Sequence, residues 1–201
     1  GAHWRTMASH STALVMIARD EARCIGRALE SLRPWVDRMI VLDTGSSDAT
    51  PRLAAEAGAQ VHHLPWPDDF AAARNAALAL NSCDWAVVVD ADEWLAAGGE
   101  TLAALRTQAP DFVGQIEIAS SYDNHGQAAS SSTWLPRVLP NVAPNAVRYE
   151  GRIHEHPRHS LPLRRLPLRL AHDGYEPVAM RNKGDRNLRL LQAALRDAPG
   201  D

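Results

Sequence analysis

The sequence predicts an α/β protein in which helices flank a mainly parallel sheet, and three observations carry this prediction. Four short runs with the character of strands lie within the first 89 residues, and three of them are apolar. Segments with helical periodicity or turn residues separate these runs. The fourth run, Trp85–Val89, is apolar throughout, as is typical of a strand buried on both faces. Such β-α-β alternation favours parallel strands that are connected by covering helices.

The elements of the first half follow in order. The predicted strands are Thr12–Ala18, Met39–Leu42, Gln60–Leu64 and Trp85–Val89. A first helix opens at Asp20 and Glu21, where acidic residues suit the helix dipole, and Pro34 closes it. For the second predicted helix, Ala49–Ala57, we expect a cap from Ser47 or Asp48 and an end at Gly58. The third helix, Asp68–Leu80, is capped by Asp68 or Asp69.

The pattern changes after about residue 110 and predicts a mixed, largely antiparallel second half. Strands are expected at Phe112–Ala119 and Thr133–Leu139, with further short strands at 147–149, 153–156 and 161–172. The Ser-rich stretch 120–132 lies between the first two, and we expect 122–133 to be a flexible loop. A final amphipathic helix is predicted at 178–195. We interpret residues 1–9 as a tag or disordered start and 10–201 as one domain, which could be a piece of a longer protein.

Composition excludes several classes of function. The formal net charge is -3 and the pI is about 6.3, which gives no general attraction to nucleic acid or to an anionic membrane. No apolar run approaches the roughly 20 residues of an integral membrane segment. Cys24 and Cys83 stand alone in the sequence and are predicted to be buried free thiols in a reducing cytoplasm. We therefore expect a cytoplasmic protein, with peripheral attachment at the inner membrane face left open.

Carboxylates follow three of the four predicted strands. Asp20 and Glu21 come after the first strand, Asp43 after the second, and Asp90, Asp92 and Glu93 after the fourth. Ligands of open α/β sheets bind beyond the carboxyl ends of the strands. Crowded carboxylates repel one another unless a cation offsets them, so the pattern predicts Mg²⁺ or Mn²⁺ and a phosphate-bearing ligand. For Asp20, Glu21 and Asp48, helix capping is an equally good interpretation.

Three further motifs carry candidate chemistry. The turn 43–50 contains Gly45, which lets the backbone approach a ligand closely. Arg74 lies on an alanine-rich helix and either presents a guanidinium to phosphate or is an ordinary surface arginine. The segment 149–156 ends in His-Glu-His, residue types that serve as acid, base or metal ligand. Because GxGxxG, Walker and HExxH patterns are absent, dinucleotide, P-loop and zincin sites are not predicted.

Taken together and in order, these motifs resemble the family 2 glycosyltransferases of the GT-A fold. The matching pieces are LVMIARDEA, IVLDTGSSDATP, DFAAARNAAL, DWAVVVDADEWL, YEGRIHEH and AHDGY, which extend from about residue 12 to residue 190. The resemblance is greatest to the bacterial branch with an HE motif and a later HxGY motif. That branch includes lipopolysaccharide-core glucosyltransferase-like and peptide glycosyltransferase-like proteins. The QxxRW motif of processive synthases is absent.

The resemblance implies a role for individual residues. Ala18, Arg19, Asp20 and Glu21 would border the nucleotide base, and Asp43 would bond the uracil, with Gly45 beside it. Arg74 would lie by the nucleotide phosphates. In the DXD motif Asp90-Ala91-Asp92, Asp90 would contact ribose and metal, and Asp92 would ligate the metal together with His172. Glu155 would be the general base, although His154-Glu155 replaces the ED pair common in the family.

The resulting expectation is an inverting hexosyltransferase that uses Mn²⁺ or Mg²⁺. It would move a sugar from a nucleotide diphosphate sugar, with a UDP-sugar preferred, to a glycan, lipid-linked glycan or peptide acceptor. A nucleotidyltransferase is the nearest alternative enzyme, but ARDEARC after the first strand lacks the Gly-rich, basic loop of that class. The alternative of another class is a non-catalytic module that binds nucleotide sugars.

Overall fold

A computed structural model describes residues 9–124 and 126–172 of the chain. Its eight-stranded sheet has the order β3-β2-β1-β4-β7-β6-β10-β5, and β8 pairs with β9 in a separate small sheet. The strands are β1 Thr12–Ala18, β2 Arg38–Asp43, β3 Gln60–His63, β4 Trp85–Val88, β5 Glu93–Ala97, β6 Val113–Asn124, β7 Gln127–Pro140, β8 Arg148–Glu150, β9 His156–Arg158 and β10 Leu163–His172. The helices are α1 Ile25–Leu32, α2 Thr50–Glu56, α3 Phe70–Ala79 and α4 Gly99–Ala104.

The sheet is parallel in its first half and mixed in its second half. β3, β2, β1 and β4 run parallel, whereas β7 is antiparallel to both β4 and β6. β10 is parallel to β6 and antiparallel to β5, which forms the far edge. The predicted α/β class and the mixed second half are therefore confirmed.

Both faces of β1, β2 and β4 are buried, which explains why these strands are largely continuous apolar runs. Leu14 and Met16 of β1 contribute to the core on the side of α1, where Leu29 is also buried. Val15 points to the opposite face and belongs to the second core cluster, with Leu78 of α3. Because successive strand residues face opposite sides, covering helices are needed on both faces.

Several boundaries differ from the sequence-based expectation. The first helix begins at Ile25 and not at Asp20, because Asp20 adopts a positive φ of 52° that a helix does not allow. The loop predicted at 122–133 is wrong, because residues 122–124 belong to β6 and residues 127–133 to β7, and the ladder pairs Ser120 with Ser131 and Asn124 with Gln127. β5 and α4 were not predicted. The expected helix at 178–195 lies outside the described residues.

Other expectations about single residues are confirmed. Asp69 caps α3 by accepting a hydrogen bond from the Ala72 amide, at 3.0 Å. Cys24 and Cys83 are buried free thiols. None of the helices within residues 9–124 and 126–172 has both the length and the apolar character of a membrane span.

The strand register brings the ends of distant segments to one rim. Ala18 pairs with Asp43 and Val15 with Val88, so β1, β2 and β4 finish near the same level. On the other side, the antiparallel pairing of β10 with β5 places His172 opposite Glu93. The chain reversal between β4 and β5 therefore lies between the parallel half and the end of β10.

Substitution of Gly98, which follows β5, can test how closely β10 packs against this position. It has a φ of 88°, and a Cβ there would lie 2.0 Å from the Pro167 carbonyl oxygen of β10. Gly126 has a similar φ of 84°, and among the described residues no atom outside its immediate chain neighbours would lie within 4 Å of such a Cβ. We expect Gly126→Ala to lower the free energy of unfolding by about 1–2 kcal/mol through backbone strain. Gly98→Ala should cost clearly more, measured by urea denaturation, and equal losses would contradict the close packing of β10.

Candidate active site

A cleft opens at the rim where β1, β2 and β4 end. Eight of the residues singled out from the sequence line it: Ala18, Arg19, Glu21, Arg74, Asp90, Ala91, Asp92 and Glu155. Five others complete the lining: Ile17, Thr44, Trp66, Phe70 and Ile153. The topology thus gathers segments from the whole of the first half, together with the segment between β8 and β9.

Asp92 and His172 meet although they are 80 residues apart in the sequence. His172 Nε2 lies 2.9 Å from Asp92 Oδ2, and the Asp92 side chain is only 4% exposed. The other ring nitrogen, Nδ1, lies 3.2 Å from Ser120 Oγ. This second contact orients the ring, as hydrogen bonds commonly do for metal-binding histidines.

The donor set at this point fits a hard divalent cation. Carboxylate oxygen suits Mg²⁺ and Mn²⁺, and imidazole nitrogen is a common transition-metal ligand. Among the described residues, no three His, Cys, Asp or Glu side chains are grouped so as to hold an ion by themselves. Mg²⁺ is usually bound through one or two carboxylates together with substrate phosphates, so a pair of protein ligands fits a site that a nucleotide completes.

Asp90 lies between two arginines. Arg74 Nη2 donates to Asp90 Oδ1 at 2.6 Å, and Arg137 Nη2 lies 3.5 Å from Asp90 Oδ2. The Asp90 side chain is 37% exposed, whereas both arginine side chains are nearly buried. The two arginines therefore balance the negative charge of Asp90, and the Asp90 carboxylate remains accessible from the cleft.

Arg137 is a residue of this site that the sequence did not reveal. It lies on β7 and forms a two-pronged ion pair with Glu93, with Nη1 to Oε1 at 2.8 Å and Nη2 to Oε2 at 3.1 Å. Burial by itself lowers the pKa of Arg137, but the charges of Glu93 and Asp90 outweigh it and raise the pKa, so Arg137 is charged. The sequence signal was an arginine within the otherwise apolar run 134–139 of β7.

Glu155 lies in the segment between β8 and β9, within reach of Arg74. Arg74 Nη2 is 3.8 Å from Glu155 Oε1, and the glutamate side chain is 22% exposed. Burial raises the pKa of Glu155, and the positive charge of Arg74 opposes that rise. A carboxylate with a raised pKa is a stronger base than an exposed one while it stays ionised at neutral pH.

Helix α3 holds the Glu155 segment in place. Asn75 Nδ2 donates to the Tyr149 carbonyl at 2.9 Å, and Asn75 Oδ1 accepts from the Tyr149 amide at 2.7 Å. The Phe70 amide donates to the Arg152 carbonyl at 3.1 Å. One helix therefore supplies Arg74 to the cleft and also supports the chain on which Glu155 lies.

Asp43 is the last residue of β2, Gly45 lies in the loop between β2 and α2, and Asp20 lies in the neighbouring turn after β1. The buried Asp43 carboxylate accepts hydrogen bonds from the Gly45 and Ser46 amides at 3.3 and 3.1 Å. Asp20 Oδ1 accepts from the Ser47 amide at 2.8 Å. Both carboxylates fix the shape of this loop, and their contacts with a nucleotide stay predictions.

Comparison with known proteins identifies the class of the protein. The model of glycosyl transferase family 2 matches residues 13–164, so the chain belongs to this family. The family and the architecture described above confirm the predicted family 2 glycosyltransferase of the GT-A fold.

Curated relatives match over different extents. Glycosyltransferase SunS of the SPbeta prophage in Bacillus subtilis is 26% identical over 194 residues, which are 92% of this chain and 45% of SunS. A TPR repeat-containing protein of Synechococcus elongatus is 56% identical over 82 residues, 41% of this chain and 20% of the relative. The chain thus spans less than half the length of these two relatives.

A solved structure is similar over part of the chain. Glucosyl-3-phosphoglycerate synthase from Mycobacterium tuberculosis, crystallised with Mn²⁺, UDP and glucosyl-3-phosphoglycerate, is 25% identical. The similarity has a TM-score of 0.43 and covers 55% of this chain and 43% of the synthase.

The two contacts of Asn75 with Tyr149 can be tested against a matched asparagine. Asn81, just after α3, also bonds backbone at both ends of its amide, to Trp85 and Cys83. Asn75→Ala and Asn81→Ala should each lower the free energy of unfolding by about 1–3 kcal/mol, because buried backbone groups lose partners. Only Asn75→Ala should speed hydrogen exchange at the Tyr149 amide. Equal exchange in both variants would contradict the local support of β8.

Proposed function

We propose that this domain transfers a sugar from a nucleotide diphosphate sugar to an acceptor hydroxyl or similar nucleophile, with inversion at the anomeric carbon. The observation that carries the proposal is the meeting of Asp92 with His172 at the same cleft as Arg74, Asp90 and Glu155. Membership of glycosyl transferase family 2 gives the reaction class. The two ligand candidates, the cationic arginine and the candidate base supply the functions that such a reaction needs.

The donor side of the cleft supports binding of a nucleotide with a metal ion. Asp92 and His172 would hold Mn²⁺ or Mg²⁺, with Asp90 as a neighbouring oxygen donor toward ribose or metal. When bound, the ion offsets the charge that grows on the leaving diphosphate. Ala18, Arg19 and Glu21 line the part of the cleft next to β1, where we place the base of the nucleotide. By resemblance to the family, UDP is the preferred nucleotide.

The acceptor side is built around Glu155. Its carboxylate would take the proton of the acceptor as the acceptor atom bonds to the anomeric carbon. The bond from that carbon to the diphosphate oxygen breaks in the same step, and the diphosphate leaves with the electron pair. Arg74, between Glu155 and Asp90, would keep both carboxylates in position. Holding the two substrates together supplies a large part of the rate. The acceptor remains one of a glycan, a lipid-linked glycan or a peptide.

The metal site predicts how UDP binds. Calorimetry should show that Mn²⁺ tightens UDP binding to the wild-type chain. Asp92→Asn should remove most of this effect, because an amide is a weaker ligand than a carboxylate for a hard cation. Asp111→Asn is the control, because Asp111 is exposed, lies just before β6 and undergoes the same change from carboxylate to amide. This variant should bind UDP with the same Mn²⁺ dependence as the wild type. Unchanged Mn²⁺ dependence in Asp92→Asn would contradict the assignment of Asp92.

The raised pKa of Glu155 predicts the pH dependence of transfer. A base must be ionised, so kcat/KM should fall as the pH drops through the pKa of Glu155. That pKa lies above the ordinary value of 4.5, so the fall occurs at a higher pH than for an exposed glutamate. Glu155→Gln should lower kcat about 10²–10⁴-fold while UDP binding persists.

Glu150→Gln is the matched control for the base. Glu150 is exposed and pairs with His156 at 3.0 Å, and it does not line the cleft. This variant should keep the wild-type rate and pH profile. A Glu155→Gln enzyme with near-wild-type transfer would overturn the assignment of the base.

The two alternatives from the sequence give different outcomes in the same assays. A non-catalytic module would bind UDP with Mn²⁺ and yet neither hydrolyse the donor slowly nor transfer its sugar. A nucleotidyltransferase would release pyrophosphate from a nucleoside triphosphate. Release of UDP from a UDP-sugar, dependent on Glu155, separates the proposed activity from both.

A further inference from the structure

The segment between β4 and β5, residues 89–92, carries Asp90 and Asp92 and is held from both of its ends by one guanidinium. Arg137 Nη1 donates to the carbonyl of Val88, the last residue of β4, at 3.0 Å. The same nitrogen donates to Glu93 Oε1, on the first residue of β5, at 2.8 Å. Arg137 belongs to neither strand, because it comes from β7. From a third strand, Arg137 therefore bonds to both ends of the chain reversal between β4 and β5.

Glu93 connects Arg137 to the backbone of Asp90 through hydrogen bonds. Glu93 Oε1 accepts a hydrogen bond from the Asp90 amide at 2.8 Å, and the Glu93 amide donates to the Asp90 carbonyl at 3.0 Å. Both polar groups of the Asp90 backbone thus bond to the residue that Arg137 holds. The contact of Arg137 Nη2 with Asp90 Oδ2, at 3.5 Å, adds a direct constraint on the side chain.

Burial makes this ion pair a poor candidate for a purely stabilising contact. The side chains of Arg137 and Glu93 are 11% and 2% exposed. Removing two charges from water costs about as much free energy as their attraction returns, and apolar pairs of similar size are often as stable or more so. What an apolar pair cannot supply is the directed set of bonds to Val88, Glu93 and Asp90. The geometry therefore favours a role in positioning.

We propose that Arg137 is a positioning residue that, through Glu93, sets the orientation of Asp90 and Asp92 for binding the metal and the nucleotide diphosphate. The proposal rests on the function proposed above. It differs from that function in assigning a role to a side chain that does not line the cleft and that would not touch the donor. Mutation of a residue that orients the metal ligands without contacting the metal typically changes metal affinity about 10–100-fold.

The test measures the metal-assisted part of UDP binding in the full chain. Calorimetry gives the Kd of UDP with and without Mn²⁺, and the ratio of the two is the metal-assisted factor. Arg137→Lys keeps the charge but loses the planar fork that bonds Glu93 at two points. We expect the metal-assisted factor to fall roughly 10–100-fold in this variant. A general loss of structure would weaken both values of Kd and leave their ratio unchanged.

The matched control is Arg169→Lys. Arg169 on β10 also contacts a glutamate of a neighbouring strand through two nitrogens, with Nε 3.1 Å from Glu117 Oε1 and Nη2 3.5 Å from Glu117 Oε2. This pair lies outside the segment between β4 and β5. The metal-assisted factor of Arg169→Lys should match that of the wild type. A fall as large as that in Arg137→Lys would overturn the proposal.

A second variant covers the case in which Arg137→Lys does not fold. Arg137→Met combined with Glu93→Gln removes both buried charges and keeps an acceptor for the Asp90 amide. A folded double variant with a reduced metal-assisted factor supports the proposal, and one with the wild-type factor overturns it. Loss of the native near-UV circular dichroism in both variants assigns the pair to fold stability and also overturns it.

The outcomes also separate this proposal from the proposed function. If the wild-type chain binds UDP no better with Mn²⁺ than without it, the metal-dependent function fails and the positioning role fails with it. If the wild type shows the Mn²⁺ effect and Arg137→Lys retains it in full, only the positioning role is overturned.

Discussion

Charge compensation at the end of β4 is the constraint on which the site depends. Asp90 and Glu93 lie three residues apart at the edge of a buried sheet, and low-dielectric surroundings penalise each charge that lacks a partner. Arg74 from α3 and Arg137 from β7 supply the cations. Helix α3 also covers one face of the sheet, and β7 continues the sheet from β4 into the second half. The fold and the charge pattern of the site are thus determined together.

This compensation leaves the carboxylates in different states. Asp90 is engaged by both arginines and remains partly exposed at the cleft, and Glu93 is fully internal. The contact described for the Asp92 side chain is instead with His172, at 2.9 Å. Of the three acidic residues in this stretch, Asp92 therefore has the surroundings that best suit a metal ligand. Glu93 has those of a structural residue, because it is buried and paired with Arg137.

The sequence predicted the parallel half of the fold well because three of its four strands, β1, β2 and β4, are largely apolar and buried on both faces. The second half was harder. The serine-rich parts of β6 and β7 have little apolar pattern, and their strand geometry comes from the ladder between these two strands. β5 is short and acquires its identity from pairing with β10. Of the site, the carboxylates and His172 could be found as motifs. Arg137 could not, because a single arginine in an apolar run does not indicate a partner 44 residues away.

The central claim is that Asp92 and His172 together hold a divalent ion that a nucleotide diphosphate also binds. Pulsed electron paramagnetic resonance of Mn²⁺ with UDP tests it most directly, because an imidazole ligand adds nitrogen modulation to the manganese signal. The account predicts this modulation in the wild-type chain in the presence of UDP, and its loss in His172→Gln. Modulation that is absent from the wild type, or unchanged in His172→Gln, would contradict the account.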